Sequence, residues 1–512
     1  MTIQQPFGEE CCEAEVKVFR ESYQNLYFLK TPFNELALQS RNYLFIGRRG
    51  SGKTSLAHYF TFQNSLPSAK CIDVDEPKVY EKVLTKIAER ASTMPDLAMS
   101  RVVAIWDFLI WSLIFDELCE EDPVINSARK LTTPDKASSL IRDLLKQLLS
   151  KFLCDDGELS DDLEEFLVSG PFSEAKNRAV KITNRKPVII AIDSLEKYSI
   201  ENQPMMCAIA ALVESASNFN RSYAHVGIHV KVFISAEVFP HLEESEISNP
   251  SKYIRHPVYL HWRPKDLMRL VSWRLNEFFR RDPKFNSYCR DDVDWDSPGE
   301  VLEKVWNPHF GTHFFNGLDL CEATFPYVLR HTQLRPRQFV ILCNHIADKA
   351  IKSEEFPRFS NVAILESIRK QEIRLAGELL NSYSKVFPNV ANIVSALERF
   401  PMVFDAKKLD RMSSSTASQW PSGDYSPYQF RRLVAELGIV GRIRSWDNES
   451  KIITADFEYA LEDRLTLTSK DKCVIHPMFF EKLSIEKSHK MIIYPFPNHP
   501  DFKQIMESMK ND

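Results

Sequence analysis

The sequence predicts an α/β fold in which a parallel β-sheet carries a helical insert, a helical lid and a C-terminal winged-helix domain. Short apolar runs alternate with helix-like segments, and the first of these runs leads into a glycine-rich loop. This alternation is typical of parallel sheets, whose strands need helical crossover connections. Near the C-terminus, two helix-like segments precede a pair of apolar runs around a turn, which indicates a winged helix.

Five apolar runs have the length and composition of buried strands. Between the second and third runs, from about residue 80 to 180, the pattern is helical and predicts an insert. From residue 263 the apolar side chains recur at spacings of three and four, which predicts the lid. The runs are residues 43–46, 70–74, 188–192, 230–234 and 258–260.

A chain of 512 residues exceeds what one hydrophobic core supports, so several domains are expected. The pattern places an N-terminal helical segment before a core that contains the insert, followed by the lid, the winged helix and a tail. The predicted bounds, in that order, are 1–40, 41–262 with the insert at about 80–180, 263–387, 388–485 and 486–512.

The charge, cysteine spacing and apolar stretches of the chain argue against several classes of protein. The net charge of −5 gives no overall attraction to nucleic acid, so such a partner would need a local basic patch. The ten cysteines form no CxxC pairs, as expected of reduced thiols, and the N-terminus lacks a secretion-signal pattern. The apolar stretch 102–115 is too short to span a bilayer and contains Asp107, so it predicts a buried helix. We expect a cytoplasmic protein without a membrane anchor.

The glycine-rich loop, GRRGSGKT at residues 47–54, matches the P-loop pattern GxxxxGK[ST] between a strand and a helix. The motif makes the sheet a P-loop NTPase core. Its backbone N–H groups would surround the phosphates of ATP or another nucleoside triphosphate, with Lys53 on the β and γ oxygens and Thr54 on magnesium. The alternative is a glycine-rich turn that caps a buried helix. The predicted nucleotide-binding residues are Gly47, Arg49, Gly50, Ser51, Gly52, Lys53, Thr54 and Ser55.

A magnesium site also needs a carboxylate at a strand end, and Asp193 directly follows the run 188–192. Because the carboxyl ends of parallel strands face the ligand crevice, this is a Walker B pattern. Taken alone, Asp193 could instead cap a helix.

Two further residues are candidates for handling the γ-phosphate. Glu196 is the candidate to orient the attacking water, so that Lys53, Asp193 and Glu196 form the predicted catalytic set. Glu196 could instead be an exposed acid at a helix start. Ser235, at the end of the run 230–234, is a candidate γ-phosphate sensor or an ordinary strand-end residue.

Arginine sensors are less well specified by the sequence. Arg335 and Arg337 flank Pro336 in the lid and are candidate phosphate sensors. Arg255 and Arg274 are rivals, and a surface or ion-paired role is the alternative for each.

These motifs resemble the AAA+/STAND group of P-loop ATPases, especially bacterial members from phage-defence and signalling loci. The resemblance rests on four segments and covers roughly the first half of the chain by motif and the whole chain by architecture. It implies nucleotide-controlled assembly as a homo-oligomer, with a separate effector protein. Lys197 departs from the second acid that follows the Walker B Asp in such proteins, which bears on the rate of hydrolysis. The segments are FIGRRGSGKTSL (45–56), VIIAIDSLEKY (188–198), VFISAEVF (232–239) and HWRPKDLMRLVSWRL (261–275).

The resulting hypothesis is a magnesium-dependent ATP hydrolase that acts as a nucleotide-dependent switch in a bacterial antiviral defence or signalling assembly. The alternative is a DNA-binding or DNA-loading ATPase whose winged helix touches duplex through Arg431 and Arg432. A protein contact of the winged helix, and a scaffold that holds nucleotide without turnover, also stay open.

Overall fold

The computed structural model describes residues 5–62, 69–73, 95–132, 161–193, 203–243, 250–384, 386–420, 425–460, 464–487 and 490–496. Glu196 lies outside the described residues. The chain divides into two compact units: Pro32–Leu260, and Met1–Thr31 together with His261–Asp512. Within the described ranges, no helix is both long enough and apolar enough to cross a membrane.

A five-stranded sheet forms the centre of the unit Pro32–Leu260, with the strand order β2-β3-β4-β1-β5. All four neighbouring pairs are parallel, and the strands whose side chains are described are almost entirely buried, which explains their continuous apolar sequences. Each of the five predicted runs forms one strand, so the predicted parallel α/β sheet is confirmed. The strands are β1 (Leu44–Gly47), β2 (Ala69–Asp73), β3 (Val188–Asp193), β4 (Ile228–Ser235) and β5 (Val258–Tyr259).

Helices connect these strands, and those described between β2 and β3 bear out the predicted helical insert. The helix Pro95–Leu118 contains the apolar stretch 102–115, and Trp106 Nε1 donates a 2.9 Å hydrogen bond to the carbonyl of Ala208. The one acid of the stretch 102–115, Asp107, accepts a 2.6 Å bond from the Ser215 hydroxyl, and burial raises the pKa of Asp107 to about 6. The predicted buried helix is therefore confirmed. The helices of this unit are Pro32–Leu38, Lys53–Phe62, Pro95–Leu118, Pro123–Thr132, Asp161–Val168, Gly170–Thr183, Gln203–Tyr223, Phe239–His241 and Pro250–Tyr253, with a 3₁₀ turn at Ala224–Val226.

The other unit is mainly helical up to residue 384, as the lid pattern predicts. A short antiparallel hairpin, β6 (His313–Phe315) with β7 (Cys321–Ala323), interrupts the helices and has no counterpart in the sequence prediction. The helices of this part are Cys12–Phe19, Tyr23–Leu26, Pro264–Arg281, Pro298–Val301, Asn307–Phe310, Thr324–Arg330, Pro336–Lys352 and Asn361–Tyr383, with a π-helical turn at Leu302–Trp306 and 3₁₀ turns at Arg20–Ser22 and Asn286–Tyr288.

The C-terminal part has the helix and strand order of a winged helix. Its three helices, Val390–Ser395, Ala406–Ser413 and Pro427–Glu436, accompany a sheet of order β12-β10-β9-β11-β8. The prediction of two strands is incomplete, because β11 inserts between β9 and β8 and β12 adds to the edge of β10. The strand β12 lies in the segment that the sequence assigns to a tail. The strands are β8 (Val403–Asp405), β9 (Val440–Asp447), β10 (Ile452–Asp456), β11 (Lys472–Ile475) and β12 (Ile492–Tyr494).

One hydrophobic core runs through the lid and the winged helix. A polar contact also joins the two parts: Gln333 Nε2 donates to the carbonyl of Leu437 at 2.8 Å, next to Gly438, whose φ is +65°. A Cβ at Gly438 would lie 2.7 Å from that same Nε2, so the absence of a side chain lets the two segments approach.

A buried acid–base pair lies within this unit, beside a cavity of about 350 Å³. His331 Nδ1 and Glu372 Oε1 are 2.5 Å apart, and each side chain is only 6% exposed. Burial raises the pKa of Glu372 to about 8 and holds the pKa of His331 well below its ordinary range. Both shifts favour the uncharged forms, so a protonated Glu372 facing a neutral imidazole is the stable arrangement near neutral pH.

We expect Glu372→Gln to become more stable than the wild type as pH rises from about 5 to 8. Between the ordinary pKa of 4.5 and the folded-state value of about 8, the folded protein keeps a proton that the unfolded chain has released. Wild-type stability therefore falls with rising pH through this window, whereas glutamine has no proton to lose. The gain at pH 8 should be about 4 kcal/mol, measured by urea denaturation at several pH values.

Glu398→Gln provides the matched control, because it removes the same carboxylate from an exposed position of the same unit. Parallel pH profiles for wild type and Glu372→Gln would contradict a buried protonated glutamate.

Candidate functional site

The predicted P-loop connects β1 to the helix Lys53–Phe62. Two of its glycines have left-handed backbone angles, with φ of +80° at Gly50 and +94° at Gly52. Residues other than glycine rarely adopt these φ angles, so the loop conformation depends on glycine at both positions. The helix begins directly after Gly52, which leaves the first N–H groups of the helix available at the loop.

Gly47 ends β1 at a point of close approach. A Cβ at this position would lie 2.3 Å from Ser51 Oγ and 3.1 Å from Leu260 Cδ1. Ser51 is 4% exposed and has little room to move away. The motif therefore needs glycine here for space, whereas at Gly50 and Gly52 it needs glycine for backbone angle.

Lys53 is directed back over its own loop. Its Nζ donates a 3.0 Å hydrogen bond to the carbonyl of Gly47, and the residue is only 5% exposed. A buried ammonium group beside a P-loop and a helix N-terminus is an arrangement suited to phosphate oxygens.

The start of the P-loop helix meets the end of β3. Thr54 Oγ1 donates a 2.5 Å hydrogen bond to Asp193 Oδ2, and Asp193 is 2% exposed. The two residues are 139 positions apart in the sequence, and both were predicted to share one site. A hydroxyl and a carboxylate side by side supply the oxygen donors that Mg²⁺ prefers, so the donor set fits that ion.

Ser235 lies at the same edge of the sheet, where it pairs with Gly47 across β4 and β1. Its hydroxyl donates a short hydrogen bond to Glu237 Oε2. The other oxygen of Glu237 accepts a 3.1 Å bond from the backbone N–H of Arg49, within the P-loop. Glu237 is 4% exposed and was missed by the sequence prediction. The available signal was an acid two residues beyond a strand that ends in the crevice.

The candidate arginine sensors lie in the other unit. Arg335 is buried and donates from Nη2 to Gln333 Oε1 at 3.0 Å, at the start of the helix Pro336–Lys352, which also contains Arg337. Their assignment as phosphate sensors stays a prediction. Of the two rivals, Arg274 forms a buried ion pair with Glu15, whereas Arg255 is exposed. The ion pair with Glu15 therefore gives Arg274 a structural role within its own unit.

No protein-family model and no curated protein sequence matches this chain. Among solved structures, the chain is similar to the Aeropyrum pernix ORC2 protein in its ADPNP–ADP complexes, with a TM-score of 0.36 and 11% identity over 100% of this chain and 99% of the other. The ADP form of that protein gives a TM-score of 0.28 and 12% identity over 94% and 90% of the two chains. We draw nothing about function from similarity at this level.

We expect Gly47→Ala to destabilise the protein by about 1–3 kcal/mol, because the added methyl group must displace Ser51 or Leu260 in a packed region. The comparison is Gly170→Ala, since no atom lies within 4 Å of a Cβ at that helical position of the same unit. Chemical denaturation should show Gly170→Ala equal to or slightly more stable than wild type. Equal stability of the two variants would show that the loop accepts a side chain at Gly47.

Proposed function

We propose that the chain binds ATP with magnesium at the loop 47–54, hydrolyses it, and acts as a nucleotide-dependent switch. The contact between Thr54 and Asp193 carries the proposal, because it joins the hydroxyl after the P-loop lysine to a buried carboxylate at the end of a parallel strand. Among P-loop proteins this is where the metal is held. The left-handed glycines and the buried Lys53 support the same site.

Each group of the site has a proposed task. Backbone N–H groups of residues 49–54 bind the phosphates, and Lys53 neutralises charge on the β and γ oxygens. Thr54 and Asp193 would hold magnesium, which supplies further charge neutralisation when bound. Phosphoryl transfer depends mainly on positioning and electrostatics, so a carboxylate that orients water is also needed, and Glu196 stays the predicted one.

The proposed switch also needs an assembly and a partner on which to act. A switch requires that nucleotide state change assembly, and we propose a nucleotide-dependent homo-oligomer with a separate effector protein. Placement in antiviral defence rests on the motif resemblance to STAND-type ATPases alone and stays a prediction, as does a cytoplasmic location.

A second candidate function is DNA binding by the winged helix, and one observation favours it. The helix Ala406–Ser413 presents Lys407, Lys408 and Arg411 to solvent, which is a local basic patch on an acidic protein. Arg431 does not contribute, since it pairs with Asp410 and donates from Nε to the carbonyl of Leu467. Against DNA binding, the wing between β9 and β10 exposes Asp447 and Glu449, whose negative charges would repel the DNA backbone. DNA binding is therefore the alternative.

Lys53→Ala should abolish ATP binding, whereas Glu196→Gln should retain binding and lower turnover by about 10²–10⁴-fold. The first variant removes the charge on the phosphates and the second removes the proposed water-orienting carboxylate. Calorimetry gives affinity, phosphate release gives turnover, and light scattering with and without ATP gives the mass of the assembly.

Lys181→Ala is the control, because it removes an exposed lysine from a helix of the same unit. Undiminished ATP affinity in Lys53→Ala would reject the proposed site. If the wild type binds ATP but releases no phosphate, the chain is a scaffold that holds nucleotide. If the mass of the assembly is the same with and without ATP, the assembly switch is rejected.

For the alternative, we expect the full chain to bind duplex DNA with an affinity that falls as salt rises. Replacing Lys407, Lys408 and Arg411 by alanine should lower the salt slope by about one unit per lost phosphate contact. A charge-matched triple variant of Lys181, Arg185 and Lys252, all exposed in the other unit, should keep the wild-type slope. Fluorescence anisotropy measures both, and no detectable binding at low salt would dismiss DNA as a partner.

A further inference from the structure

Glu237 is a buried carboxylate that links the P-loop to the end of β4. Its Oε1 accepts a 3.1 Å hydrogen bond from the Arg49 N–H, and its Oε2 accepts from Ser235 Oγ. The Ser235 hydroxyl in turn accepts a 3.2 Å bond from the Glu237 backbone N–H, which closes a tight turn. With 4% exposure, the side chain is held between the loop and the strand.

Both oxygens of this carboxylate already have donors, so Glu237 is not placed as a free base for water. Instead, Glu237 places a negative charge beside the backbone amides that are proposed to bind phosphate. The Arg49 N–H is the first of the amides at 49–54 that are proposed to bind phosphate, on the strand side of the loop and away from the helix start at Lys53. A phosphate oxygen that takes this N–H must displace a carboxylate oxygen of the same charge sign.

The consequence depends on how far the phosphate chain extends. The amides at the helix start serve the inner phosphates. The Lys53 ammonium group, which in P-loops reaches the β and γ oxygens, lies instead at the Gly47 carbonyl, at the end of β1. A terminal phosphate that engages Lys53 therefore lies toward the strand side of the loop. Competition with Glu237 therefore applies to a nucleoside triphosphate and spares a diphosphate.

We propose that Glu237 is a positioning residue that sets the preference between triphosphate and diphosphate. In the diphosphate state the carboxylate keeps Arg49 and Ser235 tied together. A terminal phosphate takes the Arg49 N–H and separates Glu237 from the P-loop, while Ser235 and Glu237 stay joined in their turn at the end of β4. This inference rests on the proposed nucleotide site, and it makes the pair Ser235–Glu237 the reporter of nucleotide state.

The test compares the affinities of a non-hydrolysable ATP analogue and of ADP, each with magnesium, by calorimetry on the full chain. Glu237→Gln keeps the size and an acceptor oxygen for Arg49 but removes the charge. We expect analogue affinity to rise about tenfold with ADP affinity nearly unchanged, since a charge-assisted bond no longer has to be broken. Glu243→Gln, an exposed glutamate of the same unit, should leave both affinities as in wild type.

Glu237→Asp is the second variant, because it keeps the charge but shortens the reach to Arg49. It should shift the affinity ratio in the same direction as Gln, and it decides the question alone if the Gln variant does not fold. An unchanged ratio of analogue to ADP affinity in both variants overturns the role of Glu237 while leaving the nucleotide site intact. Absence of binding by wild type to either nucleotide overturns the proposed function itself.

Discussion

The register of three parallel strands is the constraint on which the candidate site depends. Gly47 pairs with Ser235, and Ile192 pairs with Val232, so the ends of β1, β3 and β4 meet at one edge of the sheet. A slip of one residue would move a strand end by about 3.3 Å and turn its side chain to the opposite face. The 2.5 Å contact between Thr54 and Asp193 would not survive such a slip. The apolar side chains of the strands, buried on both faces, fix the register and with it the site.

A buried lysine fixes the same strands at their other end. Lys231 is 1% exposed and donates to the carbonyls of Gln39 and Asn42, at 2.8 and 2.6 Å, in the segment that leads into β1. Burial lowers the pKa of Lys231 to about 7, and the two backbone carbonyls accept its hydrogen bonds in this buried position. At the loop end, the N–H of Ala236 donates to the Gly47 carbonyl at 3.1 Å. The pair β1 and β4 is thus held on both sides of the strand contact that positions the P-loop.

How much of this could be predicted depends on whether the deciding contact is local. The strands and the P-loop were predictable, because apolar runs and a glycine motif specify their own conformation, and Asp193 followed from its place at a strand end. The sheet of the winged helix was predicted only in part, since β11 and β12 are placed by pairing with distant segments. An ion-paired role was the stated alternative for Arg274, but its partner could not be predicted, because Glu15 is 259 residues away. Glu237 was missed because no periodic pattern marks a single acid beyond a strand.

Both buried carboxylates at this edge accept a hydrogen bond from a hydroxyl, and Glu237 also accepts one from the backbone N–H of Arg49, which gives the two carboxylates different proposed tasks. Asp193 faces a hydroxyl, a group that can turn its proton away and offer a lone pair beside the carboxylate to a cation. Glu237 accepts hydrogen bonds from the Ser235 hydroxyl and from the Arg49 backbone N–H, and that N–H is one of the donors proposed to bind phosphate. A bound nucleotide would therefore bring a magnesium ion to Asp193, whereas its terminal phosphate would compete with Glu237 for the Arg49 N–H. One nucleotide can in this way be held at one carboxylate and be sensed at the other.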